Sequence, residues 1–167
     1  ILHLASYFTS HVPEYSIIFI AFAGEETGLL GSKFFVENPP IDPGRIKFLV
    51  NIDLAGNGED GITVVNGSVY KDEFEILNQI NESCHYFPEI KSRGEACNSD
   101  HCFFYKAGIP CFFIYTMGGT RAYHDPGDDF NSLTLSKFSE LGQLLIEFVN
   151  SYQVYQSRST GEKVSIR

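Results

Sequence analysis

The stretch Ser16-Ile-Ile-Phe-Ile-Ala-Phe-Ala23, with Gly24-Glu25-Glu26 directly behind it, constrains this chain most. An unbroken run of large and β-branched apolar residues reads as a strand buried on both faces, which in soluble proteins means a mainly parallel sheet covered by helices. Two adjacent carboxylates then fall at the strand's carboxyl end, where open α/β sheets keep their chemistry. Two further runs repeat the pattern. Lys47-Phe-Leu-Val-Asn-Ile-Asp53 ends in a carboxylate, and Cys111 to Thr116 leads into the Gly-rich loop Met117 to Asp129, which contains Tyr123 and His124.

The segments between these runs read as helices. Apolar residues at positions 1, 2, 4, 5, 7 and 8 fit the last turns of an amphipathic helix, and Leu29 to Val36 fits a short one closed by Asn38-Pro39-Pro40. A short strand at Ile62 to Val65 precedes a helix over Lys71 to Cys84. Ser99 to Gly108 is expected as a helix with a serine cap in front and glycine behind. Leu135 to Tyr152 is the final amphipathic helix, and residues 153–167 are expected to be a polar, frayed tail. The expected fold is a single α/β domain over 1–152: a mainly parallel mixed sheet with helices on both faces.

With 167 residues, 43% of them hydrophobic, and 15 Phe and 9 Tyr, the chain can bury a core without disulfides or metal. No apolar run approaches the roughly 20 residues of a membrane span. A net charge of −9, from 21 acidic against 12 basic residues, repels a phosphate backbone, so nucleic acid is excluded as a partner. The four cysteines, Cys84, Cys97, Cys102 and Cys111, lack C-x-x-C spacing, which argues against a cysteine zinc site. Cys97 and Cys102 bracket a short loop, but an even count is equally compatible with reduced, buried thiols, so the redox compartment stays open.

Glu25 and Glu26, Asp53, and His124 thus stand at or beyond the carboxyl ends of three successive strands. If those strands are parallel and adjacent, the four side chains converge on one edge. Carboxylate oxygens and an imidazole nitrogen are the ligands of zinc in hydrolytic sites, with an open position for water. Each element alone has a plainer explanation: a solvated acidic turn, a turn closed by Asp53 and Gly56, or an Asx turn at His124-Asp125-Pro126-Gly127. Their coincidence favours metal-assisted hydrolysis with one Glu as base.

The order Gly24-Glu25-Glu26-x-Gly28-Leu29-x-Gly31-Ser32, then Asn51-Ile52-Asp53, then Ser99-Asp100-His101 with Gly108-Ile109-Pro110, then Tyr123-His124-x-Pro126-x-Asp128 resembles the M28 family of zinc aminopeptidases over about residues 1 to 152. The resemblance implies that Glu25 is the general base and Glu26 and His124 ligands of one zinc. It implies that Asp53 binds the other zinc and that Tyr123 hydrogen-bonds the tetrahedral intermediate. Asp100 and His101 are implied as supporting residues, although an acidic first helical turn explains them equally well. The implied substrate is a peptide with a free N-terminus, and the implied compartment is the periplasm or the cell exterior.

The family pattern also includes a His-x-Asp segment and a bridging Asp upstream of the first helix, and these are not in the sequence; His3 and His11 stand in the wrong context. Two zinc ions are expected of the complete domain and at most one, weakly held, here. The chain alone is expected to be inactive and to self-associate through an exposed sheet edge. Asp125 and Asp129 depart from the family pattern and either favour a basic substrate or face solvent. Two alternatives are a glutaminyl-cyclase-like single-zinc enzyme and a non-catalytic M28-like receptor or scaffold domain.

Overall fold

The computed structural model describes residues 1–119 and 123–160. Its elements are α1 (Leu2–Ser10), α2 (Leu30–Glu37), β1 (Leu49–Ile52), β2 (Gly61–Val65), α3 (Lys71–Cys84), β3 (Ile90–Ser92), α4 (His101–Lys106), β4 (Cys111–Met117) and α5 (Phe138–Thr160), with 3-10 turns at Pro43–Arg45 and Phe130–Ser132. Four strands pair in the order β1-β4-β2-β3. β1 runs parallel to β4 and β2 parallel to β3, while β2 and β4 are antiparallel. The sheet is therefore mixed and mainly parallel, as the apolar runs predict.

Alternation along the strands divides the side chains between two helical layers. Ile62, Val64, Phe112 and Ile114 point into a core closed by Leu77 and Ile80 of α3 and by Leu144, Leu145 and Phe148 of α5. On the opposite face, Phe113 stacks on His101 of α4, and Phe104 of α4 meets Phe22 and Phe35. Helices thus cover both faces. Cys97 and Cys102 form a disulfide, whereas Cys84 and Cys111 are free.

The structure corrects the sequence reading in four places. The run 16–23 is not a strand: no backbone hydrogen bond from residues 16–22 is formed among the described residues. It faces the unpaired edge of β1 across a cavity of about 1170 Å³ lined by Ile17, Phe19, Leu49, Val50 and Phe148. Apolar character alone does not make a strand; a neighbour within hydrogen-bonding distance does.

The final helix starts at Phe138 rather than Leu135, and it continues through Gln153 to Thr160 instead of fraying there, while residues 161–167 of the expected tail lie outside the described residues. Gln153 is buried, and its side-chain oxygen accepts the Glu14 amide at 2.7 Å. Ser99 does not cap α4; the N-cap is Asp100, which makes no capping side-chain bond. Finally, β3 has two exposed residues of three and no sequence signal marked it. Among the described residues, no helix is long and apolar enough to cross a membrane.

Candidate metal centre and its surroundings

The acidic pair sits on a tightly cross-tied turn. The Leu29 and Gly28 amides donate to the Glu25 carbonyl, Leu30 to Gly24, and Gly31 to Ala23. Gly24 has φ +71°, a left-handed backbone that favours glycine. A Cβ at Gly31 would lie 2.7 Å from the Ala23 carbonyl oxygen, so only glycine lets α2 start this close to the preceding chain. The Gly-Glu-Glu-x-Gly-Leu-x-Gly spacing is therefore the geometry of a turn that holds two carboxylates in place.

Asp53 leaves the end of β1, whose last residue Ile52 pairs with Ile114 of β4. Its carboxylate accepts the Ser99 hydroxyl at 3.0 Å, and that hydroxyl in turn accepts from the Asn51 side-chain amide at 2.8 Å. Asn51 and Asp53, two residues apart on one strand, share a face. Ser99 is completely buried, so its oxygen is a fixed bridge from the turn before α4 to β1. Sequence reasoning assigned Ser99 to a cap and Asn51 to no role. The signal that marks both is an asparagine within an apolar strand, because an amide drawn partly out of water must find partners.

Four carboxylates, Glu25, Glu26, Asp53 and Asp100, line the cavity together with His101. Burial, followed by the negative charges of Asp53, Glu26 and Asp100, raises the Glu25 carboxyl above the ordinary range, and His124 opposes this. Asp100 is 7% exposed, and its Oδ1 lacks a partner among the described residues. Burial pushes the His101 imidazole down, and its Nε2 lies 2.7 Å from the Ala96 carbonyl oxygen. Asp100 and His101 are thus both buried, and both line the cavity with Asp53.

Tyr123 and His124 arrive on the connection from β4 to α5. Both are exposed, and their rings lie 4.0 Å apart. Burial and the charges of Glu26, Asp53, Glu25 and Asp128 raise the Tyr123 phenol, so the pair stands within the field of the acidic edge. His124 has φ +58°, a strained conformation for a non-glycine residue and one that recurs at functional sites. Asp125 accepts the Gly127 amide at 3.0 Å, and Asp129 caps the turn Phe130–Ser132 by accepting the Ser132 amide at 3.2 Å. These two acids thus shape turns.

The donor set, three or four carboxylates and an imidazole drawn to one edge, fits zinc in its chemistry. Among the described residues, however, no three His, Cys, Asp or Glu side chains are close enough to hold an ion. His3 and His11 stay apart from the edge: His3 packs on Phe138 and His11 stacks on Tyr7.

Comparison with known proteins identifies the family and the fold. The sequence pattern of peptidase family M28 matches residues 1–149. A probable leucine aminopeptidase of Arthroderma benhamiae is 32% identical over 133 residues, covering 76% of this chain and 36% of that protein. A probable zinc metalloprotease of Pyrenophora tritici-repentis is 39% identical over 64 residues, 37% of this chain and 15% of its own length. The fold is similar to that of a zinc aminopeptidase from Bacillus subtilis, with a TM-score of 0.73 at 24% identity over 90% of this chain and 39% of that one. It is also similar to Porphyromonas gingivalis glutaminyl cyclase, with a TM-score of 0.59 at 20% identity over 80% of this chain and 52% of that one. The chain spans 36% of the length of the leucine aminopeptidase it matches.

Proposed function

The chain belongs to peptidase family M28, and on that premise we propose that its protein is a zinc-dependent aminopeptidase that removes N-terminal residues from peptides. The observation that carries this reading is the convergence of Glu25, Glu26, Asp53 and Asp100 on one edge, where burial and then the neighbouring negative charges raise Glu25. A carboxylate with a raised pKa is a better proton carrier near neutrality than an ordinary one.

In this reading Glu26, Asp53 and His124 supply ligands to zinc, which when bound supplies Lewis acidity toward water and the substrate carbonyl. Ser99 and Asn51 hold the Asp53 carboxylate in one orientation. Glu25 takes a proton from the attacking water as its oxygen bonds to the peptide carbon. It returns that proton to the amine nitrogen as the C–N bond breaks. Tyr123, whose raised phenol keeps its proton, donates a hydrogen bond to the oxyanion. The surrounding negative charge favours a protonated α-amino group, and this is the basis for exopeptidase action.

The test is Glu25→Gln in the full-length protein with leucyl-anilide as substrate. Removing a general base lowers kcat by roughly 10²- to 10⁴-fold, and zinc content is expected to stay unchanged. Equal cleavage of free and N-acetylated substrates would overturn the aminopeptidase reading. Release of pyroglutamyl product from an N-terminal glutamine peptide, without chain cleavage, would replace it with a cyclase.

A further inference from the structure

Both ends of the connection that carries Tyr123 and His124 close on one short stretch, Asn57 to Asp60, that follows β1. At the far end the Asn57 side-chain oxygen accepts the Thr134 amide at 2.9 Å and lies 2.9 Å from the Thr134 hydroxyl. Glu59 Oε1 accepts the Thr134 hydroxyl at 2.6 Å and the Ser136 hydroxyl at 2.8 Å. The other Glu59 oxygen accepts the Gly58 amide at 3.1 Å, and the Gly56 carbonyl accepts the Leu135 amide at 2.9 Å.

At the near end the Asp60 amide donates to the Met117 carbonyl at 3.1 Å. Gly118 and Gly119, with φ +108° and +73°, pack directly on the same stretch. A Cβ on Gly118 would lie 2.9 Å from a Glu59 carboxylate oxygen, and one on Gly119 would run into the Asn57 amide. The β-ladders do not need this clasp, since β1, β2 and β4 already pair through their own backbones. An ionised carboxylate that accepts two hydroxyls and an amide is a strong anchor. The same bonds hold the Glu59 carboxyl down at about 2, so it stays charged at neutral and mildly acidic pH.

We infer that Asn57 and Glu59 are positioning residues that set where Tyr123 and His124 stand relative to Asp53, by pinning the far end of their connection, at Thr134 and Ser136, to the chain segment that Asp53 begins. Asp53 lies six residues before Glu59, and Thr134, which Glu59 holds, lies ten residues after His124. It acts through Thr134 and Ser136 and touches no reacting atom. This rests on the reading of His124 as a zinc ligand. Releasing one end of a loop enlarges the volume its ligand samples, and outer partners of metal ligands carry about 10- to 100-fold in affinity.

The experiment compares Glu59→Ala, Glu59→Gln and Thr134→Val with wild type in the full-length protein. Zinc affinity is read by chelator competition, and amide hydrogen exchange is read at residues 123–129. The expected result is about tenfold weaker zinc binding in Glu59→Ala and Thr134→Val, with faster exchange at 123–129. Glu59→Gln recovers most of both, because its amide oxygen still accepts a hydroxyl proton. A Glu59→Ala variant that melts earlier but binds zinc as wild type does would reduce the clasp to a structural role and overturn the inference. Unchanged exchange at 123–129 would overturn it as well. If His124→Ala leaves zinc affinity unaltered, the ligand reading is what fails, and the exchange measurement alone then decides whether the clasp holds the loop.

Discussion

Replacing Ser99 by alanine removes one oxygen from a fully buried position and with it two hydrogen bonds, one from the Asn51 amide at 2.8 Å and one to the Asp53 carboxylate at 3.0 Å. A neutral hydrogen bond contributes about 1 kcal/mol net and one to a charged group about 1.5–3, so the gross loss is about 2.5–4 kcal/mol. Asn51 and Asp53 are only half-buried, so water reaching them recovers part of this. The expected net destabilisation is about 2 kcal/mol. With a urea dependence of about 2 kcal/mol per molar for a chain of this size, the unfolding midpoint falls by about 1 M. Circular dichroism in urea measures it, and Asn51→Ala with the double variant measures the coupling, expected at about 1 kcal/mol. The same substitution frees the Asp53 carboxylate to rotate, so zinc binding by the full-length protein weakens by about 10- to 100-fold. A midpoint within about 0.2 M of wild type, together with unchanged zinc affinity, would show that the bridge neither stabilises the fold nor orients Asp53.

Two further outcomes follow from the same region. Cys97 and Cys102 close a six-residue loop around Ser99, and opening it by Cys97→Ser with Cys102→Ser costs about 2 kcal/mol by loop entropy; an unchanged urea midpoint in the variant would refute this. Burial depresses the His101 pKa in the folded chain, so on acidification below about 6.5 the unfolded chain binds a proton that the folded chain refuses. Stability is therefore complete above that pH and declines as pH falls toward the depressed folded value, below which the loss levels off. Urea midpoints between pH 7.5 and 5 test the sign, and an equally steep decline in His101→Phe would assign the effect elsewhere.

Much of the fold was legible because its signals are local. α3 spans Lys71–Cys84 as expected, since Leu77 and Ile80 face the core from an otherwise polar helix. Gly108, at φ +79°, ends the segment of α4 where the sequence places it. The misreadings share a cause. Gln153 and Ser157 look like tail residues by polarity, yet both are buried, and Gln153 accepts the amide of Glu14, 139 positions away. The run 16–23 has strand composition, but a cavity separates it from the edge of β1. Ser99 has the right chemistry for a cap, and a carboxylate 46 positions away in sequence claims its hydroxyl.

The candidate site divides in the same way. Glu25, Glu26, Asp53, Tyr123 and His124 are visible as residue types behind apolar runs, and the glycines at 24, 28 and 31 write the acidic turn directly into the chain. That is what the sequence determined alone: which groups stand at element ends, because backbone geometry links pattern to position within a few residues. Only the tertiary structure decided what those groups feel and what holds them. The raised Glu25 comes from its burial, and then from the negative charges of Asp53, Glu26 and Asp100, of which Asp53 and Asp100 are 28 and 75 positions away, and the clasp on the His124 connection comes from Asn57 and Glu59, which carry no motif. Electrostatic fields and hydrogen bonds act through space, so distance along the chain conceals them until folding brings the partners together.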